Sequence, residues 1–257
     1  MRLICFALLL GLTMTFDPRP LPAQQPAAES KSDGEAFLDD YREAATERWE
    51  EEIRKLETKD RERADPPDPI LFIGSSSIRR WDSIVTDMAP YKVIQRGYGG
   101  SKFSNVAVFA RRLIEPHEYR AMGVFVANDV VGKPTDHSLE QIELFVRHII
   151  RVSKSHQPSA PVFLIEVTPT ARRWEAWPKI RQVNALLREL ALTTPGIHFI
   201  ATADYYLDPQ GQPRTELFVE DQLHLNEAGY DLWSRLIRRR IDDVLRMRAD
   251  FEADKAD

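Results

Sequence analysis

The chain has 257 residues, 43% hydrophobic and 29% charged, enough for one sizeable core and neither low-complexity nor membrane-embedded in composition. Its net charge of −5 gives no basic footprint for nucleic acid or anionic lipid, and it disfavours a strongly anionic substrate. The single cysteine, Cys5, excludes a disulfide scaffold and a cysteine zinc site.

Residues 1–23 read MRLICFALLLGLTMTFDPRPLPA. Arg2 precedes an apolar run over 3–16 that is short for a bilayer span, and Pro and small residues follow. This pattern predicts a secretory signal peptide cleaved near Ala23. The protein would then be exported, periplasmic or secreted, with no stable membrane span left; an uncleaved anchor is the alternative. Residues 24–33 (QQPAAESKSD) predict a disordered tether. Over 34–64, Leu38, Tyr41, Ala45, Trp49, Ile53 and Leu56 step by three or four opposite a charged face. That spacing predicts an amphipathic helical arm, stopped by Pro66, Pro67 and Pro69.

From 65 to 248, short apolar runs alternate with helical periods. The runs at 70–73, 93–94, 122–127, 162–167 and 197–200 predict buried strands. Helices are predicted over 77–88, 104–114, 138–154, 178–193 and 227–247. Ser138 with Gln141 forms a capping box, and Asn226 marks the start of the last helix. Apolar strands that alternate with helices predict an α/β fold. It is a three-layer α/β/α sandwich with a central parallel five-stranded sheet. Residues 249–257 predict a charged, frayed tail.

In such a sheet the ligand crevice lies beyond the carboxyl ends of the strands, so the loops there carry the chemistry. Gly74-Ser75-Ser76-Ser77 permits a sharp strand-to-helix turn with hydroxyls at the helix start. A helix N-cap cluster uses the same residues, and no Lys-Ser/Thr phosphate loop follows. In Gly97-Tyr98-Gly99-Gly100-Ser101, backbone N–H groups can approach a ligand with no Cβ in the way, as they can in any tight turn. A dinucleotide fingerprint is rejected, because the loop follows the second strand and lacks the third spaced glycine. Asn128 after the third strand either donates to developing negative charge or makes an Asx turn, and Asp129 reads as structural. Asp221 and His224 stand three apart. That spacing lets the carboxylate accept from the imidazole Nδ1–H and leaves Nε2 as a base, although a surface histidine beside an acid has the same spacing. The other histidines (His117, His137, His148, His156 and His198) have no carboxylate at this spacing, and His198 reads as a core residue. No metal-binding histidine pair occurs, so no metal site is predicted.

Four segments in order, ILFIGSSSIRRW, VIQRGYGGS, VFVANDV and DQLHLNEAGYDLW, resemble the motif blocks of the SGNH (GDSL-type) hydrolase superfamily of serine esterases. The resemblance spans about 70–235. It implies a flavodoxin-like SGNH hydrolase fold, with Ser76 as nucleophile and Asp221 and His224 completing the triad. The implied oxyanion hole comprises the N–H groups of Ser76 and Gly100 and the side-chain amide of Asn128, with Gly97 as the rival to Gly100. No cofactor is implied. Three positions depart from the family pattern: Ser75 replaces the usual Asp, Gln95 a common Asn, and Val126-Ala127 the usual Gly-x. The Trp49 arm and the stretch Pro169-Thr170-Ala171-Arg172-Arg173-Trp174 resemble a bacterial secreted subgroup. That subgroup is related to platelet-activating-factor acetylhydrolase-like and sugar acetylesterase-like members. The implied function is secreted hydrolysis of short-chain acyl esters, namely O-acetyl groups of carbohydrates. Lipid ester (lysophospholipase-type) hydrolysis and a non-catalytic carbohydrate-binding module are the alternatives. Trp81, Tyr98, Arg172, Arg173 and Trp174 fall near strand ends and are expected to line the substrate cleft. For Trp81, packing under a helix is the slightly preferred alternative.

Overall fold

A computed structural model describes residues 33–255. The expected signal peptide, and the tether apart from residue 33, lie outside the described residues. Five parallel strands form one sheet: β1 (Ile70–Gly74), β2 (Val93–Gly97), β3 (Ala121–Phe125), β4 (Val162–Ile165) and β5 (Ile197–Ile200). Their order is β2-β1-β3-β4-β5. Side chains alternate between the two faces of a strand. Leu71, Ile73, Met122, Val124 and Leu164 therefore enter one apolar cluster, and Ile70, Phe72, Ala121 and Phe163 the other. Because both faces are buried, the strands are apolar throughout rather than alternating.

The first cluster is closed by α1 (Asp39–Glu62), α4 (Phe103–Val108), α5 (Ala110–Ile114), α6 (Leu139–His156) and α7 (Trp177–Thr193). The second is closed by α2 (Ser76–Arg79), α3 (Ile84–Asp87) and α8 (Glu227–Asp254). The result is the expected three-layer α/β/α sandwich. Helix α1 lies against the first layer through buried Ala45, Ile53 and Leu56. Ion pairs border this contact: Arg112 reaches Glu57 (2.6 Å) and Glu50 (2.7 Å), and Arg96 of β2 pairs with Asp60.

Several element bounds differ from the sequence pattern, each for a physical reason. The apolar runs continue past β3 and β4 into Val126 and Val167, which are buried in loops without pairing in the sheet. The expected helix over 77–88 divides into α2 and α3. Between them, the Trp81 indole N–H and the Ser83 hydroxyl both donate to the Asp87 carboxylate, at 2.6 Å each. The expected helix over 104–114 divides at Phe109 into α4 and α5. The last helix runs past its expected end at 247 into the expected charged tail. Helix α8 continues to Asp254, since 248–254 contains no Pro or Gly and Arg248 stands 4.0 Å from Glu252 one turn on.

Candidate active site

The site begins where β1 stops. Gly74 is level with Gly97 of β2 and Phe125 of β3. Its φ is +144°, and a Cβ there would lie 1.9 Å from the Phe125 carbonyl oxygen. Only glycine fits, so the chain can turn sharply off the strand. Ser75 N–H then donates to that same carbonyl at 3.0 Å. Ser76 opens α2 next to the β1/β3 switch point of the 2-1-3-4-5 strand order, where a ligand crevice forms. From α8, the Tyr230 hydroxyl donates to the Ser77 carbonyl at 2.9 Å and holds the turn.

The second half of the site is the loop before α8. Phe218 and Leu225 are bridged, and Val219 N–H donates to the His224 carbonyl at 2.9 Å. Asn226 caps α8 by accepting from Gly229 N–H (3.0 Å), and its Nδ2 donates to the Glu216 carbonyl (2.8 Å). Gln222 takes φ +54° at the tip. This loop presents Asp221 and His224. Asp221 Oδ1 accepts from the N–H groups of Leu223 and His224, each at 2.9 Å, and Oδ2 lies 2.6 Å from His224 Nδ1. His224 Nε2 lies 3.0 Å from Ser76 Oγ. Burial alone would raise the Asp221 pKa, but these hydrogen bonds bring it down to about 2. An anionic Asp221 keeps the imidazole proton on Nδ1 and turns the Nε2 lone pair toward the serine hydroxyl.

Two further loops border Ser76. Gly100 is exposed with φ +74°, where glycine is favoured. Gly97 is buried, and a Cβ on it would lie 2.5 Å from Arg79 N, so its small size serves packing of β2 against α2. Asn128 Nδ2 donates to the Ser101 carbonyl at 2.9 Å. Its Oδ1 accepts from Arg173 Nη2 at 2.5 Å, and Arg173 Nη1 donates to the Ala127 carbonyl at 2.5 Å. Burial pushes the Arg173 pKa down to about 10, which leaves it charged at neutral pH. Buried Asp129 accepts from Phe103 N–H (3.0 Å) and from the His137 ring (2.8 Å), tying this loop to the start of α4.

Two cavities meet at Ser76. One of about 20 Å³ is lined by Phe125, Ala127, Val167, Phe218 and Leu225 together with Asn128 and His224. The other, about 460 Å³ and more open, is bordered by Arg48, Trp49, Arg79, Arg80, Gly100 and Leu223. A serine hydroxyl, an oriented imidazole and an amide donor thus share one rim at the carboxyl ends of the strands.

The GDSL-like lipase/acylhydrolase family model matches residues 67–232, more than half of the chain. The chain belongs to this family. As a member it is a carboxylic ester hydrolase. No curated protein sequence matches it. Three of the solved structures it resembles are these. A Streptococcus pneumoniae protein described as a platelet activating factor shares 20% identity, with TM-score 0.65, covering 82% of this chain and 99% of that one. A GDSL-like lipase from Bacteroides thetaiotaomicron shares 18%, with TM-score 0.63 and 75% and 98% covered. A catalytic mutant of an acetylxylan esterase from Geobacillus stearothermophilus shares 13%, with TM-score 0.56 and 69% and 95% covered. At these identities the likeness speaks to the fold.

Within this GDSL-like acylhydrolase the expected cleft residues divide. Trp81 is fully buried, packed on Trp233 with ring centroids 5.1 Å apart, and is not in the cleft. Tyr98 is also buried, with its ring against Trp49. Both aromatics follow strand ends in sequence but turn into the two helical layers, where their large apolar area is removed from water. Arg173 lines the small cavity. Arg172 is exposed, and Trp174 stacks on Trp177 at 6.1 Å; neither borders the cavities at Ser76. Arg48, Trp49, Arg79 and Arg80 are the cleft residues that loop reading missed. Arg79 could have been found, since it follows Ser76 by three residues and so lies on the same helix face. No sequence signal aims α1 at the site. Two other histidines also meet carboxylates, His117 with Asp65 from far along the chain and His137 with nearby Asp129, each at 2.8 Å. Among the described residues, no group of three or more His, Cys, Asp or Glu is arranged to hold a metal.

Proposed function

We propose that Ser76, His224 and Asp221 are the catalytic triad of an esterase that removes short acyl groups, chiefly acetyl, from carbohydrate hydroxyls. The observation that carries this reading is the continuous chain Asp221 Oδ2–His224 Nδ1 (2.6 Å) and His224 Nε2–Ser76 Oγ (3.0 Å). His224 Nε2 takes the Ser76 proton as Oγ attacks the ester carbonyl. The oxyanion is received by the N–H groups of Ser76 and Gly100 and by the Asn128 amide, which Ser101 and Arg173 hold in place. As the tetrahedral intermediate collapses, His224 returns the proton to the departing alcohol. Water, deprotonated by the same nitrogen, then attacks the acyl-enzyme and releases the acid and Ser76.

The two cavities support the substrate assignment. The small one, about 20 Å³, holds about one water-sized group, which suits the methyl of an acetyl group. The open one has polar and aromatic walls that suit a sugar-type alcohol. Turnover of p-nitrophenyl esters of increasing chain length tests this directly. Acetate should be the best substrate, and a fluorophosphonate probe should label the protein but not Ser76→Ala. A preference for long chains, or labelling of the variant, would overturn the reading.

The leader over 1–23 supports export. Among the described residues no helix is long and apolar enough to cross a membrane. N-terminal sequencing of protein recovered from the host periplasm should start near Gln24, and an intact Met1 would refute cleavage.

A further inference from the structure

The open cleft beside Ser76 carries charge of the opposite sign to the chain. Arg79 lies over Gly99: a Cβ there would come within 2.9 Å of Arg79 Nη2. Arg48 lies by the next residue, with Nη2 3.9 Å from the Cβ position of Gly100. Its guanidinium is held 4.8 Å from the Trp49 ring centroid, a cation–π contact that fixes its place. Arg80 borders the same space. The carboxylate on this wall, Glu52, is 3.0 Å from Lys55 Nζ and so already has a cationic partner. Among the described residues none of Arg48, Arg79 and Arg80 is ion-paired, whereas Arg54, Arg111 and Arg112 are. The net charge of −5 led to the expectation that an anionic substrate is disfavoured. The local arrangement points the other way, because potential in a cleft follows the charges that line it rather than the average over the surface.

We propose that this cleft is an anion-recognising subsite for the alcohol part of the ester, and that the alcohol is a sugar bearing a carboxylate, an acetylated uronic acid unit. The inference rests on the reading of Ser76 as the nucleophile of an O-acetyl esterase. On that reading the small cavity takes the acetyl methyl and the alcohol occupies the open side, which Ser76 and His224 also border. Guanidinium forks match a carboxylate in two-point contact, and consecutive glycines let a ligand approach the backbone beneath them. Helix α1, which supplies Arg48 and Trp49, lies outside the family-matched residues 67–232.

The test compares acetylated galacturonic acid with its carboxyl methyl ester, the same sugar without the charge. The wild-type kcat/KM should favour the acid by about tenfold, the scale of one charge-assisted contact. Arg48→Gln and Arg79→Gln should each lower that ratio. Raising NaCl from about 0.05 M to about 0.5 M should erode it through screening. A ratio at or below one, or a ratio unmoved by both variants and by salt, overturns the proposal. So does faster turnover of acetylated glycerol 3-phosphate, which would assign the cations to a phosphate.

A second measurement does not depend on turnover. By calorimetry, Ser76→Ala should bind trigalacturonate and not its methyl-esterified form. Such binding in a wild-type protein without esterase activity would uphold the subsite and remove the Ser76 reading. Turnover of neutral acetyl sugars without preference for the acid would do the reverse.

Discussion

His224 Nε2 lies 3.0 Å from Ser76 Oγ, although 148 residues separate the two along the chain. One side chain is set by the turn off β1, the other by the loop that opens α8. Tyr230, bonded to the Ser77 carbonyl, ties these two elements together. The pair can therefore act as a unit, and losses from its members should not add. Ser76→Ala and His224→Ala should each lower kcat on p-nitrophenyl acetate by on the order of 10⁶, with the double variant no worse than either single. Asp221→Ala should cost less, roughly 10⁴, because the imidazole remains. Circular dichroism checks that each variant folds. Additive losses would show that the residues work independently.

Asn128 is aimed rather than free. Its Oδ1 is held by Arg173 and its Nδ2 by the Ser101 carbonyl. Asn128→Ala should lower kcat by roughly 10²–10³ with little change in KM, since the amide serves charge that develops only in the transition state. Arg173→Met should lower kcat less, about tenfold, again with KM preserved, because it acts by positioning the amide. The cycle separates the roles: in an Asn128→Ala background the Arg173 substitution should have little further effect. An undiminished second loss would give Arg173 a task apart from Asn128.

Much of the architecture was legible because it rests on local rules. Both sheet faces are buried, so apolar runs marked all five strands, and the chemistry-bearing loops followed from where parallel strands end. The Asp221–His224 pairing was legible because its partners are three residues apart. What depends on the third dimension was not. Position beyond a strand end does not by itself separate Trp81, which turns under α8, from Arg79, two residues earlier, which borders the cleft. Val126 and Val167 looked like strand because burial, not sheet pairing, sets composition. The role of α1 was hidden because its apolar stripe explains only its docking. Arg48 sits on the polar face, where a charged residue ordinarily signals solvent.

The glycine-rich loop offers a direct comparison between packing and function. A Cβ at Gly97 would lie 2.5 Å from Arg79 N and 2.7 Å from Ile78 Cβ, both within the short helix that carries Ser76. Gly97→Ala should destabilise the protein by about 2–4 kcal/mol through overpacking. At Gly100 the nearest atom to a new Cβ is Trp49 Cη2 at 3.6 Å, so only the positive φ of +74° opposes the change. Gly100→Ala should cost about 1–2 kcal/mol. Urea melts of the two variants decide the matter. Equal losses would mean that the β2–α2 packing yields more readily than its geometry implies.

His198 on β5 gives a pH signature that is separate from catalysis. Burial pushes its pKa down to about 4, assisted by the positive charges of Arg240, Lys154 and Arg248. The ring is level with Phe163 of β4, with centroids 5.3 Å apart. Between about pH 6.5 and pH 4 the unfolded chain therefore binds a proton at this site that the folded protein refuses, and stability must fall as pH falls through that window. His198→Val removes the titrating group and keeps a residue suited to a strand. Urea midpoints measured at pH 7 and pH 5 should converge for the variant more than for the wild type. If both proteins lose the same stability between the two pH values, the acid sensitivity of the fold arises elsewhere.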